Sequence, residues 1–300
     1  MRRLIAAAAL CGILASGIAY AAGSPGTAAQ VKALVAASTK INKLTPALSA
    51  ELANASSLST RSVYPSVGSA CLTGCAFGNL ASSKTIVIFG DSHALMWLPT
   101  VITAEPAYKI DLFWDQTCAL AAIPGLYFKD GVQNANCAPF RSGAIAAIKT
   151  IDPKLVILGE RTYLAYTTGG VPVSDATWAK ALEATILKIK SKTTHVALMQ
   201  DVIAFDLHPI DCLAAYPSSI QRHCAVLNPN PKTPAHQPAE KTAATVTGIK
   251  LVITIPWLCT TKCSPVVGTY VVHSDQGHVA VPYAKYLAGV LATAIAPLLK

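Results

Sequence analysis

The chain has 300 residues, of which 52% are hydrophobic and only 13% charged. That balance excludes an intrinsically disordered chain and suits one domain with a large core. The formal charge of +9 is not accompanied by a nucleic-acid-binding pattern, so the excess is read as serving solubility or an anionic envelope surface.

Met1 to Ala21 begins with Arg2 and Arg3, runs uncharged from Leu4, and ends in Ala19-Tyr20-Ala21, a small-x-small cleavage pattern. Residues 1–21 are therefore expected to be a secretory signal peptide. The alternative is an uncleaved anchor, because the uncharged stretch from Leu4 to Gly23 is about 20 residues, just long enough to span a bilayer; its alanine richness favours cleavage. Cys11 lacks the preceding small residue of a lipoprotein signal. Removing Arg2 and Arg3 lowers the formal charge from +9 to +7. No other hydrophobic run of spanning length is free of charges and prolines.

Residues 22–70 are rich in Ala, Ser and Lys, with apolar residues at helical spacing between Ala28 and Ala37 before Pro46 interrupts. This segment is expected to be a stem leading to a domain over 71–300. From Thr85, short apolar runs alternate with helical patterns, the order of a parallel α/β sheet. Strands are expected at 85–90, 110–115, 155–159, 195–200 and 249–255. Ser174 suits a helix N-cap, and Trp178, Leu182, Thr185, Ile186 and Ile189 then recur as a core stripe. Residues 201–242 carry several prolines, two cysteines and little periodicity, which predicts a long excursion near the carboxyl end of the sheet. Asp206, His208, Asp211 and His223 within it could meet a substrate, although structuring the loop is the simpler role. A last helix begins near Pro282, with Tyr283, Leu287, Val290, Leu291, Ala294 and Ile295 on its apolar face.

Two short motifs carry the chemistry. In Thr85 to Pro99, a β-branched and aromatic run breaks at Gly90 and delivers Asp91, Ser92 and His93 into a helical pattern. A strand, a glycine turn and a helix put Ser92 at the carboxyl end of a buried strand, where open parallel sheets bind ligands and the first helical amides point outward. Alone, Gly-Asp-Ser is ordinary turn chemistry. The second motif is His273 to His278, H-S-D-Q-G-H, ahead of the last helix. A serine hydroxyl needs a base, and the base needs a carboxylate to hold its tautomer; Asp275, three residues before His278, can reach the far ring nitrogen on one turn. His273, Asp275 and His278 also form an H-x-D-x-x-H cluster that could take a metal, but that would leave Gly90-Asp91-Ser92 without a role. No metal or cofactor is expected. His93 is expected to support the nucleophile turn.

Taken together, G-D-S-H after the first strand and D-x-x-H before the last helix resemble the SGNH (GDSL-type) hydrolase superfamily. They are most similar to the SGNH domain that follows the membrane acyltransferase-3 module in bacterial surface O-acyltransferases. The resemblance runs from about Cys71 to the C-terminus and extends to paired cysteines ahead of the first strand, Trp257-Leu258-Cys259 with Cys263, and Tyr283-Ala284 after the histidine. It implies a flavodoxin-like three-layer sandwich with a central parallel sheet of about five strands. It also implies Ser92 as nucleophile, His278 as base and Asp275 as orienting acid. One departure is plain: where the superfamily has a G-x-N-D block with an oxyanion-donating asparagine, this chain has Leu158-Gly159-Glu160-Arg161-Thr162. Gly90, Asp91, Thr117 and Arg161 remain as oxyanion or substrate candidates beside the Ser92 amide.

Eight cysteines lie beyond the leader, and an even count in an exported chain reads as disulfides. Proximity and the resemblance pair Cys71 with Cys75, Cys118 with Cys137, Cys212 with Cys224 and Cys259 with Cys263. Zinc at the two C-x-x-x-C pairs is the alternative, poorly supported without a closely spaced histidine. The resemblance implies an exported, periplasmic or extracellular O-acetyl transferase acting on an envelope glycan. A separate membrane acyltransferase-3 protein would supply the acyl group, since that module is not expected in this chain. A carbohydrate or small-ester esterase using the same residues is the alternative, and a catalytically silent glycan-binding domain is a third reading.

Overall fold

A computed structural model describes residues 24–129 and 135–300; the expected signal peptide lies outside the described residues. Among these, the central sheet has six strands: β1 (Ala70–Gly78), β2 (Thr85–Gly90), β3 (Lys109–Asp115), β4 (Leu155–Gly159), β5 (His195–Met199) and β6 (Lys250–Val252), in the spatial order β1-β3-β2-β4-β5-β6. The five from β2 to β6 are parallel, and β1 pairs antiparallel with β3 at the edge. The expected parallel sheet is therefore present with one added strand. β1 escaped the sequence reading because an edge strand is half exposed and reads A-C-L-T-G-C-A-F-G, with no continuous apolar run.

Among the described residues, the helices around the sheet include α1 (Ala28–Ser38), α2 (Pro46–Ala53), α3 (Ser92–Leu95), α4 (Leu98–Ala104), α5 (Cys137–Ile151), α6 (Asp175–Ile189), α7 (Gln237–Thr247), α8 (Val281–Tyr286) and α9 (Ala288–Ile295). The period of two along each strand sends alternate side chains to opposite cores. Ile86, Ile88, Leu112, Trp114 and Ile157 face α4, α8 and α9, whereas Val87, Phe89, Phe113, Val156 and Leu158 face α5, α6 and α7. This is why β2 reads as an unbroken apolar run: both of its faces are covered. Residues 201–242 are more ordered than expected, with helices at Pro209–Ala215 and Ile220–His223 and the start of α7. Proline in the first turn starts the first of these and α7, a position where its missing N–H costs nothing.

Residues 24–69 are packed against the sheet domain rather than extended from it. Thr27 and Gln30 form a capping box at the start of α1, and Thr45 caps α2 with Pro46 in its first turn. Val31 and Val35 enter the core beneath α9, while Leu48 and Leu58 are fully buried with Val266, Val271 and Ala280. Glu51 Oε2 accepts the Val271 N–H at 2.6 Å. Burial raises the Glu51 carboxyl to about 7, against the pull of that N–H.

The four expected disulfides are all present. Cys71–Cys75 spans a register shift within β1, and Cys118–Cys137 ties the loop after β3 to the start of α5. Cys212–Cys224 joins two short helices of the excursion, and Cys259–Cys263 closes the loop ahead of the last motif.

The Glu51 contact predicts a pH signature. Its pKa is higher folded than unfolded, so the folded state holds the extra proton and stability falls as pH rises from about 4.5 to about 7. Glu51→Gln keeps an acceptor for the Val271 N–H and removes the charge. Thermal midpoints measured from pH 5 to 8 should fall less steeply in the variant than in the wild type; parallel slopes would refute the assignment.

Candidate active site

The order of the parallel strands reverses at β2, whose neighbours β3 and β4 leave it on opposite sides. A crevice opens at the carboxyl end of such a strand, and Ser92 is the first residue of α3 there. Gly90 pairs with Gly159 across β2 and β4, and a Cβ at Gly90 would overlap the Gly159 carbonyl oxygen. Glycine at both positions lets α3 sit directly on β4, which aims the turn into the crevice.

Asp91 is fully buried and makes the turn rigid. One carboxylate oxygen accepts the His93 N–H at 2.8 Å and the other accepts the Arg161 N–H at 2.9 Å. Burial raises its pKa, while His93 and these two amides pull the other way. Of the oxyanion candidates, Asp91 is thus an acceptor that braces the turn rather than a donor. Gly90 serves by its missing side chain.

The Asp275–His278 segment arrives from the far end of the chain. Asp275 Oδ1 accepts the backbone N–H groups of Gly277 and His278, both at 2.9 Å, and the carboxylate meets His278 Nδ1 at 2.9 and 2.8 Å. Burial alone would raise the Asp275 pKa, but the His278 ring and the two amides hold it well below the usual carboxylate range. Nδ1 is thereby engaged, and Nε2 is buried without a hydrogen-bond partner among the described residues. Phe205 N–H donates to the Gln276 carbonyl at 2.8 Å, so the excursion after β5 holds this turn from behind.

Two cavities of about 290 Å³ each share Ser92, Gln116, Asp275 and His278 in their walls. One continues past Leu95, Met96 and Trp114; the other continues past Thr117, Arg161 and Tyr163. No hydrogen bond joins Ser92 to His278 as they stand, a looseness common before substrate binds. Thr117 has a left-handed φ of 62°, a conformation that costs a non-glycine residue about 1–3 kcal/mol and concentrates at functional loops. Its neighbour Cys118 is clamped to Cys137. The Arg161 guanidinium lies between two rings, 4.6 Å from the centre of Phe128 and 4.4 Å from that of Tyr163. Thr117 and Arg161, on the loops that follow the two strands flanking β2, thus meet Ser92 in one cavity.

The matching family is described as the SGNH domain (fused to AT3 domains), and its model covers residues 60–293. This chain belongs to that family. A solved structure, the periplasmic domain of a lipopolysaccharide acetyltransferase from Salmonella ser. Paratyphi A, superposes with a TM-score of 0.54 at 19% identity, covering 71% of this chain and 83% of that one. At that identity the likeness speaks for the fold. No curated protein matches by sequence.

Within this SGNH domain several contacts had no local sequence signal. His93 Nδ1 stands 2.6 Å from Asp201 Oδ1, fully buried, and Asp201 Oδ2 accepts the Thr162 N–H and hydroxyl at 2.7 and 2.9 Å. Burial would lower the His93 pKa, but Asp201 and Asp91 carry it above its ordinary value. The His93 ring packs edge-on against His278, 4.9 Å between centres, so a second His–Asp pair backs the first. A Cβ at Gly277 would overlap the Tyr163 hydroxyl, which lets the two histidine turns close on each other. Glu160 accepts from the Ala121 amide and the Trp178 indole, both at 2.9 Å, and burial pushes its carboxyl up to about 8. Of the H-x-D-x-x-H cluster, His273 is buried against Phe205, 4.9 Å between ring centres, and burial lowers its pKa to about 3. No group of three or more metal-ligating side chains that could hold an ion occurs among the described residues. Asp206, His208, Asp211 and His223 do not line either cavity: Asp206 pairs with Lys232 at 2.8 Å, His208 stands 3.8 Å from Asp211, and His223 stacks on Tyr216.

The Gly90–Gly159 approach gives a direct test of how the turn is built. Gly90→Ala places a methyl group on backbone that cannot move aside, so it should lower stability by about 3 kcal/mol, the upper end of the usual overpacking range. Urea unfolding would register this as a lower midpoint, and an unchanged midpoint would contradict the close approach.

Proposed function

We propose that the protein is an exported O-acyl transferase that moves an acetyl group to a cell-envelope glycan through an acyl-Ser92 intermediate. The observation that carries the reading is the junction of the two cavities, where Ser92 meets a His278 whose Nδ1 is held by Asp275. Membership of the SGNH family supports the reaction class. The structural neighbour, named as a lipopolysaccharide acetyltransferase periplasmic domain, supports the acyl group and acceptor class. Four disulfides suit an oxidising compartment, and none of the described helices is long and apolar enough to cross a membrane. The family's fusion to AT3 domains supports a separate membrane acyltransferase-3 protein as acyl source.

In the first half-reaction, Ser92 Oγ bonds to the carbonyl carbon of the donor while its proton passes to His278 Nε2. Asp275 stabilises the imidazolium through Nδ1, and the leaving group takes the proton from Nε2 as its bond to carbon breaks. In the second, a sugar hydroxyl gives its proton to Nε2, attacks the acyl-serine, and the proton returns to Ser92. The developing oxyanion is met by the Ser92 amide, with Thr117 and the Arg161 guanidinium as the further donors in the missing asparagine's place. Water in place of the sugar gives an esterase, and both activities draw on the same three side chains.

Turnover of an aryl acetate by the oxidised mature protein, with and without glycan oligosaccharides, tests the reading. Ser92→Ala and His278→Ala should each reduce aryl release by at least about a thousandfold, with Asp275→Asn also strongly impaired. Acetylated oligosaccharide detected by mass spectrometry supports transfer, whereas free acetate alone makes hydrolysis the activity. A wild type no faster than Ser92→Ala would overturn the assignment for this donor. Unchanged cellular function in the Ser92→Ala strain would favour a binding domain.

A further inference from the structure

The packed N-terminal segment supplies one wall of the cavity beside Ser92. Ser59, Thr60 and Arg61 line it opposite Met96, Trp114 and His278. Trp114 is fully buried and donates its indole N–H to the Val67 carbonyl at 3.2 Å, which fastens that segment to the strand carrying the ring. The Arg61 guanidinium lies 5.9 Å from the centre of the same ring. Arg61 is solvent-exposed, and no carboxylate among the described residues is within ion-pair distance of it. The one acid in that cavity wall, Asp275, is already occupied by His278 and two backbone amides.

We propose that Arg61 is a specificity-determining residue: it gives the cavity a subsite for an anionic group on the acceptor, so the preferred glycan carries a carboxylate or phosphate close to the acylated hydroxyl. This rests on the acyl-transfer reading above and names its acceptor class. A planar guanidinium matches either anion with paired N–H donors, and resting beside an indole ring limits its loss of freedom on binding. Ser59, Gln116 and Ser274 border the same space with groups able to donate to or accept from sugar hydroxyls. The acetyl group carries no charge of its own, and Thr117 and Arg161 already serve its developing oxyanion from the neighbouring cavity, which leaves Arg61 to the acceptor.

The test is equilibrium binding to the Ser92→Ala protein, which requires no turnover. The probes are trigalacturonate against galactotriose, and maltotriose phosphate against maltotriose. At low salt the charged member of at least one pair should bind about tenfold to a hundredfold more tightly, the scale of a charge-assisted hydrogen bond, and the pair that responds separates carboxylate from phosphate. Arg61→Gln should abolish the preference, Arg61→Lys should retain part of it, and Arg61→Glu should reverse it. Equal affinities, a preference that survives Arg61→Gln, or no binding of either anionic sugar at millimolar concentration would overturn the subsite. The two readings fail separately: an inert wild type whose anion preference is intact counts against acyl transfer alone, and acyl transfer without preference counts against Arg61 alone.

Discussion

The two hydrogen bonds of the Asp91 carboxylate are the constraint on which the site depends. They join the amide of His93, inside the serine turn, to the amide of Arg161, on the loop after the neighbouring strand. A buried carboxylate can be retained only with such donors, and removing one partner would leave an uncompensated charge in the core. The bracing therefore works in both directions: the turn holds the loop, and the loop holds the turn. Everything beyond it is hung from the same frame. Thr162 passes the link to Asp201, Asp201 passes it to His93, and the His93 ring rests on His278. The serine and histidine turns are thus aligned by a continuous buried network rather than by their own contact.

The disulfides and the N-terminal segment act on the periphery of this frame. Cys118–Cys137 restrains the loop that carries Thr117, and Cys259–Cys263 restrains the approach to the histidine turn. α1 and α2 cover apolar surface at one end of the sheet and bring Ser59 to Arg61 to the cavity rim. A segment of this composition reads as a spacer when only its polarity is considered. Its burial of Val31, Val35, Leu48 and Leu58 makes it part of the folded unit.

Much of this was legible in the sequence because the informative features are local. The run Thr85 to Phe89 declares a strand covered on both faces, Gly90 declares a turn, and Asp275 stands three positions before His278 on one turn. Neighbouring cysteines made the disulfide pairing readable as well. What stayed hidden is of a different kind. The His93–Asp201 pair joins positions 108 apart, and Gln116 and Tyr163 reach the cavities only through the register of β3 and β4 with β2. No periodicity records such meetings. β1 and α7 were missed because one is an amphipathic edge strand and the other opens with a proline inside a loop-like composition.

The edge strand has a bearing on how the molecule behaves among its own copies. A parallel sheet that ended at β3 would offer a long, straight ladder of open backbone groups to any passing strand. β1 occupies that ladder, and its own outer rim is broken where the register shifts between Cys71 and Cys75 and the two sulfurs close a tight covalent ring. A bulged, cross-linked rim is a poor template for a further strand. At the opposite side the sheet ends in β6, only three residues long. Both margins are therefore unsuited to polymerising through shared sheets, so copies of the chain can crowd together without pairing edge to edge.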